Sequence, residues 1–315
     1  MTARHRAVVF AYHNVGVRCL QVLLARGVDV ALVVTHEDNP NENIWFGSVR
    51  ELASEHGIAV ITPADPNSSE LFDAVSAARP DFIFSAYYRH MLPVNVLELA
   101  PRGAYNMHGS LLPKYRGRVP VNWAVLRGET ETGATLHEMT AKPDAGALIG
   151  QTAVPILPDD TAGQVFDKVT VAAEQTLWNV LPALLDGTAP RLPNEREKGS
   201  YFGGRKPEDG RIDWGQTAQQ VYNLVRAVAP PYPGAFTDSN TATHGEAAPL
   251  RFIVARARLS HARFPNLQPG LQVEDNALLG VCGDGHAIVI HELLHDGRVI
   301  DAAAFAGLTN SSRHS

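Results

Sequence analysis

The 315-residue chain predicts an α/β fold: a Rossmann-like, mostly parallel sheet domain followed by a small β-barrel. Two patterns carry that expectation. Through the first third, β-branched apolar runs alternate with helix-length segments, which implies right-handed β-α-β crossovers and a sheet covered on both faces. Through the last third, short alternating runs are separated by Gly, Pro and Asn, the pattern of a small all-β unit.

Taken in order, the apolar runs predict strands at 7–11, 28–35, 59–62 and 82–86, with helices at 15–26, 48–56 and 68–78 between them. The turn after the first strand, Ala11-Tyr12-His13-Asn14-Val15-Gly16, lacks the G-x-G-x-x-G phosphate cradle, so a nicotinamide dinucleotide enzyme is disfavoured. Tyr87-Tyr88-Arg89-His90-Met91 follows the strand at 82–86, and ligands of open parallel sheets bind at such carboxyl ends. Residues 195–207 read as a polar linker between an N-terminal domain at 1–200 and a C-terminal domain at 206–310. Beyond it come a helix at 218–228 and strands at 251–257, 271–274, 277–282 and 287–293, with a mobile polar loop at 237–249.

Composition narrows the function classes. A hydrophobic fraction of 45% and a charged fraction of 19% describe an ordinary globular chain. No run of about 18 apolar residues occurs, and the N-terminus lacks a signal-peptide core, so the expectation is a cytoplasmic protein that inserts in no membrane. Cys19 and Cys282 are too few for a disulfide framework or a cysteine-rich metal site and read as packing residues. The net charge is −6, and residues 205–315 hold ten Lys/Arg against eleven Asp/Glu with no dense basic run, so no nucleic-acid partner is expected. Self-association is left open.

The chemistry concentrates in Asn106-Met107-His108-Gly109-Ser110-Leu111-Leu112-Pro113-Lys114-Tyr115-Arg116-Gly117-Arg118 and in Asp144. On a strand Asn106 and His108 share one face, and two polar side chains on a buried face cost free energy unless they are paired or functional. An amide donor suits charge developing on an acyl oxygen, and an imidazole can share that oxygen or move a proton. Asp144 can hold the imidazole charged and aligned, although Lys142-Pro143-Asp144-Ala145-Gly146 reads equally as a simple turn. Leu111, Leu112 and Pro113 offer an apolar wall for a flat ring, and Arg116 and Arg118 can reach a carboxylate or phosphate; a plain surface crossing is the alternative.

This run, with Tyr87-Tyr88-Arg89-His90, Gly128-Glu129-Thr130-Glu131-Thr132-Gly133-Ala134-Thr135-Leu136-His137 and Asp144-Ala145-Gly146-Ala147, resembles the 10-formyltetrahydrofolate-dependent formyltransferases. Within them it is most similar to the formyltransferase half of the bifunctional polymyxin-resistance protein, which acts on UDP-4-amino-4-deoxy-L-arabinose in a lipid A modification pathway. The similarity extends through Thr35-His36-Glu37-Asp38-Asn39-Pro40 to Cys282-Gly283-Asp284-Gly285.

The resemblance implies a catalytic triad of Asn106, His108 and Asp144, a Rossmann-like catalytic domain, and an OB-like C-terminal barrel. It implies 10-formyltetrahydrofolate as cosubstrate, with no metal, held by His90, Met91, Leu92, Arg118, Thr140, Ala141, Lys142, Pro143 and Asp144, and a UDP-amino sugar touching Tyr12, Leu111, Leu112, Pro113 and Arg116. Where Ala141-Lys142-Pro143 stand, a bulkier and more basic segment is expected, so backbone contacts are favoured there. The chain ends at Ser315, which implies that the relative's oxidative decarboxylase belongs to a separate polypeptide. Methionyl-tRNA formyltransferase, formyltransferases for other nucleotide-linked amino sugars, and a non-catalytic folate- or nucleotide-binding module are the alternatives; methionyl-tRNA formyltransferase would need a basic surface that the C-terminal third does not show.

Overall fold

The structure, a computed structural model, describes residues 5–239 and 249–310. The chain forms two compact units, one of Met1–Val121, Glu131–Pro155 and Phe166–Gly204, the other of Asn122–Thr130, Ile156–Val165 and Arg205–Ser315. Two internal segments thus join the unit that holds the C-terminal residues, an arrangement no single cut in the chain describes.

The first unit alternates as its apolar runs dictate: β1 (Arg6–Ala11), α1 (His13–Ala25), β2 (Asp29–Val34), α2 (Val49–Glu55), β3 (Val60–Ile61), α3 (Ser69–Ala78), β4 (Phe82–Ala86), α4 (Val94–Leu97) and β5 (Ala104–His108). Ser48 and Ser68 start α2 and α3 by accepting the N–H groups of Glu51 and Leu71, which satisfies donors that a helix start leaves free. Short β6 (Arg116–Gly117), α5 (Pro120–Leu126), β7 (Glu131–Glu138), β8 (Leu148–Pro155), α6 (Ala162–Asp186) and β9 (Tyr201–Phe202) follow. The main sheet has the order β3-β2-β1-β4-β5-β7-β8. Its first five strands run parallel, while β7 pairs antiparallel with β5 and with β8. Strand order reverses at β1, so the crevice beyond the carboxyl ends of β1 and β4 is the favoured ligand side.

Residues 195–207 are not the featureless linker their polarity predicts. Arg196–Lys198 form a 3₁₀ turn, and β9 pairs parallel with β6. The Arg116 and Arg118 N–H groups donate to the Ser200 and Phe202 carbonyls, each at 3.0 Å, and Tyr115 N–H donates to Ser200 Oγ at 2.9 Å. The 110–118 loop has backbone donors that must be satisfied, and this segment satisfies them through its main chain, which side-chain composition does not reveal.

The second unit carries α7 (Ala218–Val228), capped by Thr217 and Gln220 in a reciprocal box, then β10 (Ala235–Ser239), β11 (Leu250–Arg263), β12 (Gly270–Glu274), β13 (Ala277–Val281), β14 (His286–His295), β15 (Arg298–Ile300) and α8 (Ala302–Asn310). The antiparallel order is β10-β11-β14-β13-β12, with β15 on β14. The β11–β14 ladder shifts register three times, and such irregularities bend a sheet; the result is a curled half-barrel. Of the loop expected at 237–249, residues 237–239 belong to β10, paired with β11, and 240–248 lie outside the described residues. Cys19 and Cys282 are both buried, and neither is in a disulfide. Among the described residues no helix is long and apolar enough to cross a membrane.

Gly117 is the tightest point of the β6–β9 staple: its φ is 98°, and a Cβ there would lie 2.1 Å from the Phe202 carbonyl oxygen. Gly117→Ala is expected to destabilise the chain by about 1–3 kcal/mol, because neither backbone can yield cheaply. A urea midpoint equal to wild type would contradict this.

Candidate active site

Asn106 and His108 alternate with Tyr105 and Met107 on β5, so the apolar pair enters the core and the polar pair takes the other face. The antiparallel register sets His137 opposite Asn106 and Thr135 opposite His108. Directly opposed residues share a face, so two strands carry four polar side chains side by side. His108 and His137 are only 6% and 2% exposed, which makes every polar contact in the group count.

Asp144 comes from the turn between β7 and β8, with a φ of 47°. It is a turn residue, and its carboxylate also reaches the cluster. Oδ2 accepts the Gly117 N–H at 2.7 Å. Oδ1 lies 3.6 Å from His108 Nδ1 and 3.5 Å from His137 Nε2. The Asn194 side-chain amide donates to the Asp144 and Gly146 carbonyls at 3.0 and 3.1 Å and holds the turn in place. Gly146 is needed beneath it, because a Cβ there would lie 2.1 Å from the Glu138 carbonyl oxygen.

His108 Nε2 is 2.8 Å from the Tyr115 carbonyl, an acceptor only, so this nitrogen carries the proton in the neutral ring and Nδ1 keeps its lone pair toward Asp144. Burial pushes the His108 pKa down, and the Asp144 carboxylate and Tyr115 carbonyl restore it only in part. Burial acts on Asp144 in the opposite sense, but the two facing imidazoles and the Gly117 N–H outweigh it and hold the carboxyl well below its usual range. At neutral pH the resting pair is therefore a carboxylate facing a neutral imidazole, not the standing imidazolium that a carboxylate neighbour alone leads one to expect.

The other sequence-predicted residues divide by burial. His90 and Met91 are exposed beyond β4, whereas Leu92, 7% exposed, packs in the core with Leu71 and Val96. Thr140, Ala141, Lys142 and Pro143 are exposed on the turn that presents Asp144, with Thr140 Oγ1 donating to the Lys142 carbonyl at 3.0 Å. Arg118 is exposed next to Gly117. Leu112 does not form the expected wall: at 3% exposure, with its N–H on Thr135 Oγ1 and its carbonyl receiving Gln151, it is a core residue. Leu111 and Pro113 are half-buried, and Arg116 spends one guanidinium N–H on the Arg196 carbonyl. Tyr12 caps the start of α1, directly after β1. Its hydroxyl donates to Asp38 at 2.6 Å, Arg89 covers its ring at 4.7 Å, and it borders a cavity of about 350 Å³ with Thr35, His36 and Phe46.

Three contributors escaped sequence reading. His137 stands within the run that carries the resemblance, and period two on a strand, which places it on the same face as Thr135, is the local mark it carries. The Gly117 N–H and the Asn194 amide carry no mark at all, since main-chain donors and a distant asparagine have no local pattern.

Comparison with known proteins agrees with this architecture. The sequence profile of the family described as Formyl transferase matches residues 8–181, and that of Formyl transferase, C-terminal domain, matches residues 205–309. The chain belongs to the formyl transferase family and is a formyltransferase enzyme. Its fold is similar to that of the N-formyltransferase from Helicobacter canadensis, solved with folinic acid and dTDP-3-aminofucose, with a TM-score of 0.66 at 20% identity over 91% of this chain and 99% of that one. It is also similar to WlaRD, a sugar 3N-formyl transferase solved with dTDP and 5-N-formyl-THF, with a TM-score of 0.68 at 18% identity over 94% and 99%. A sugar N-formyltransferase from Shewanella sp. FDAARGOS_354 gives 0.61 at 18% identity over 78% and 96%.

Because Asp144 raises the His108 pKa against burial, Asp144→Asn is expected to lower it further. Titration of the His108 ring protons by NMR checks this, and an unchanged or higher midpoint would contradict it.

Proposed function

We propose that this enzyme transfers the formyl group of 10-formyltetrahydrofolate to the amino group of a nucleotide-linked sugar, with the 4-amino group of UDP-4-amino-4-deoxy-L-arabinose as the acceptor. The observation that carries the reading is the facing of His108 Nδ1 and Asp144 Oδ1 at 3.6 Å on the polar face that also holds Asn106. Two acceptor atoms at that separation have no proton between them, and an attacking amine brings one.

In this mechanism the neutral amine attacks the formyl carbon, forming the new C–N bond, and the carbonyl becomes an oxyanion. Asn106 donates to that oxygen, a kind of stabilisation worth about 3–4 kcal/mol per well-placed donor. The proton lost by the amine passes to Nδ1 of His108, directly or through water. The imidazolium so formed is stabilised by Asp144 on one side and by the Tyr115 carbonyl on the other. The same proton then reaches N10 of the folate as the old C–N bond breaks. A ring that is neutral at rest and charged only in passage matches the low resting pKa.

Support for the donor and the class of acceptor comes from the relatives, two of which were solved with formylated folates and with a dTDP-sugar or dTDP. Exposed His90, Met91 and Arg118 and the 140–143 turn are the proposed folate contacts, and Tyr12, Leu111, Pro113 and Arg116 the proposed sugar-nucleotide contacts.

The deciding assay incubates the purified chain with 10-formyltetrahydrofolate and a panel of amines and follows tetrahydrofolate release. Release with UDP-4-amino-4-deoxy-L-arabinose and none with methionyl-tRNA is expected; release with methionyl-tRNA alone would overturn the proposal. Alanine at Asn106, His108 or Asp144 should each lower kcat by about 100-fold or more with the circular dichroism spectrum unchanged. A variant with near-full turnover would remove that residue from the mechanism.

A further inference from the structure

We propose that His137 is a positioning residue that selects the orientation of the Asn106 amide; the proposal rests on the formyl-transfer reading above. His137 Nδ1 is 2.8 Å from the Glu138 carbonyl, which can only accept, so Nδ1 bears the proton of the neutral ring and Nε2 offers a lone pair. Asn106 Nδ2 lies 3.2 Å from that lone pair. Asp144 Oδ1, 3.5 Å from the same nitrogen, is itself an acceptor and does not compete for the lone pair.

The consequence concerns which end of the amide faces the chemistry. The two ends of an asparagine side chain are nearly equal in shape, and its terminal torsion is broad and roughly two-fold, so sterics alone do not choose between them. An amide turned the wrong way would present oxygen to a developing oxyanion. His137 breaks the symmetry by accepting one of the two Nδ2–H bonds, which turns the nitrogen toward His137 and leaves the second N–H for the formyl oxygen. At 2% exposure water does not replace that acceptor. His137 therefore acts through Asn106 and touches no reacting atom.

His137→Gln, whose side-chain oxygen lies near the position of Nε2 and accepts the same N–H, should keep kcat within about threefold of wild type. His137→Met, similar in bulk but with only a weak thioether acceptor, should lower kcat about 10- to 100-fold with KM for folate and sugar unchanged. In an Asn106→Ala background the Met substitution should add less than about a twofold loss, because the group it positions is gone. An undiminished kcat in His137→Met, or an equal loss with and without Asn106, overturns the proposal. Should the Met variant fail to fold, the wild-type enzyme labelled with ¹⁵N at Asn and His supplies a second measurement. A coupling across the hydrogen bond between Asn106 Nδ2 and His137 Nε2 is expected, and its absence overturns the assignment. Lack of formyl transfer by the wild type speaks against the function alone, whereas a missing coupling speaks against His137 alone.

Discussion

A single main-chain donor, the Gly117 N–H on Asp144 Oδ2, ties the site together. An ionised carboxylate taken from water costs several kcal/mol, and hydrogen bonds to a charged group return about 1.5–3 kcal/mol each. The two facing imidazoles, His108 across 3.6 Å and His137 across 3.5 Å, oppose the cost of burying that charge, and the Gly117 N–H adds to them. Gly117 occupies this place because β6 is pressed against β9 so closely that only a glycine fits beside the Phe202 carbonyl. A segment some 85 residues downstream in sequence thus helps to place the donor that holds the Asp144 carboxylate.

From this constraint the chemistry of the pair follows. The backbone contact of His108 Nε2 with Tyr115 settles its tautomer, and burial keeps the ring neutral until a proton arrives. The carboxylate opposite has the reverse character: it is charged at rest, and in the proposed mechanism it stabilises charge that arises later on the imidazole. The two groups share one closed space, where burial lowers the His108 pKa and the facing imidazoles and the Gly117 N–H lower that of Asp144.

The elements most legible in the sequence are those whose signal is local. The helices at Ser69–Ala78 and Ala218–Val228 and the strand Phe82–Ala86 lie where apolar period and punctuation place them. The pairing of Asn106 with His108 was equally open to reading, because period two on a strand needs no knowledge of the fold. Residues 195–207 and Leu112 show the limit. Polar composition concealed a main-chain staple in the first, and a loop leucine beside a proline concealed a core position in the second.

The sequence by itself determined the alternation of strands and helices, the polar pair on β5 and the resemblance to folate-dependent formyltransferases, since each is written in neighbouring residues. Only the tertiary structure decided that His137 opposes Asn106, that Asp144 lies between two imidazoles, and which nitrogen of each ring carries the proton. The physical reason is that these relations arise from strand register and from hydrogen bonds between segments far apart in the chain, and no local pattern of side chains encodes a register.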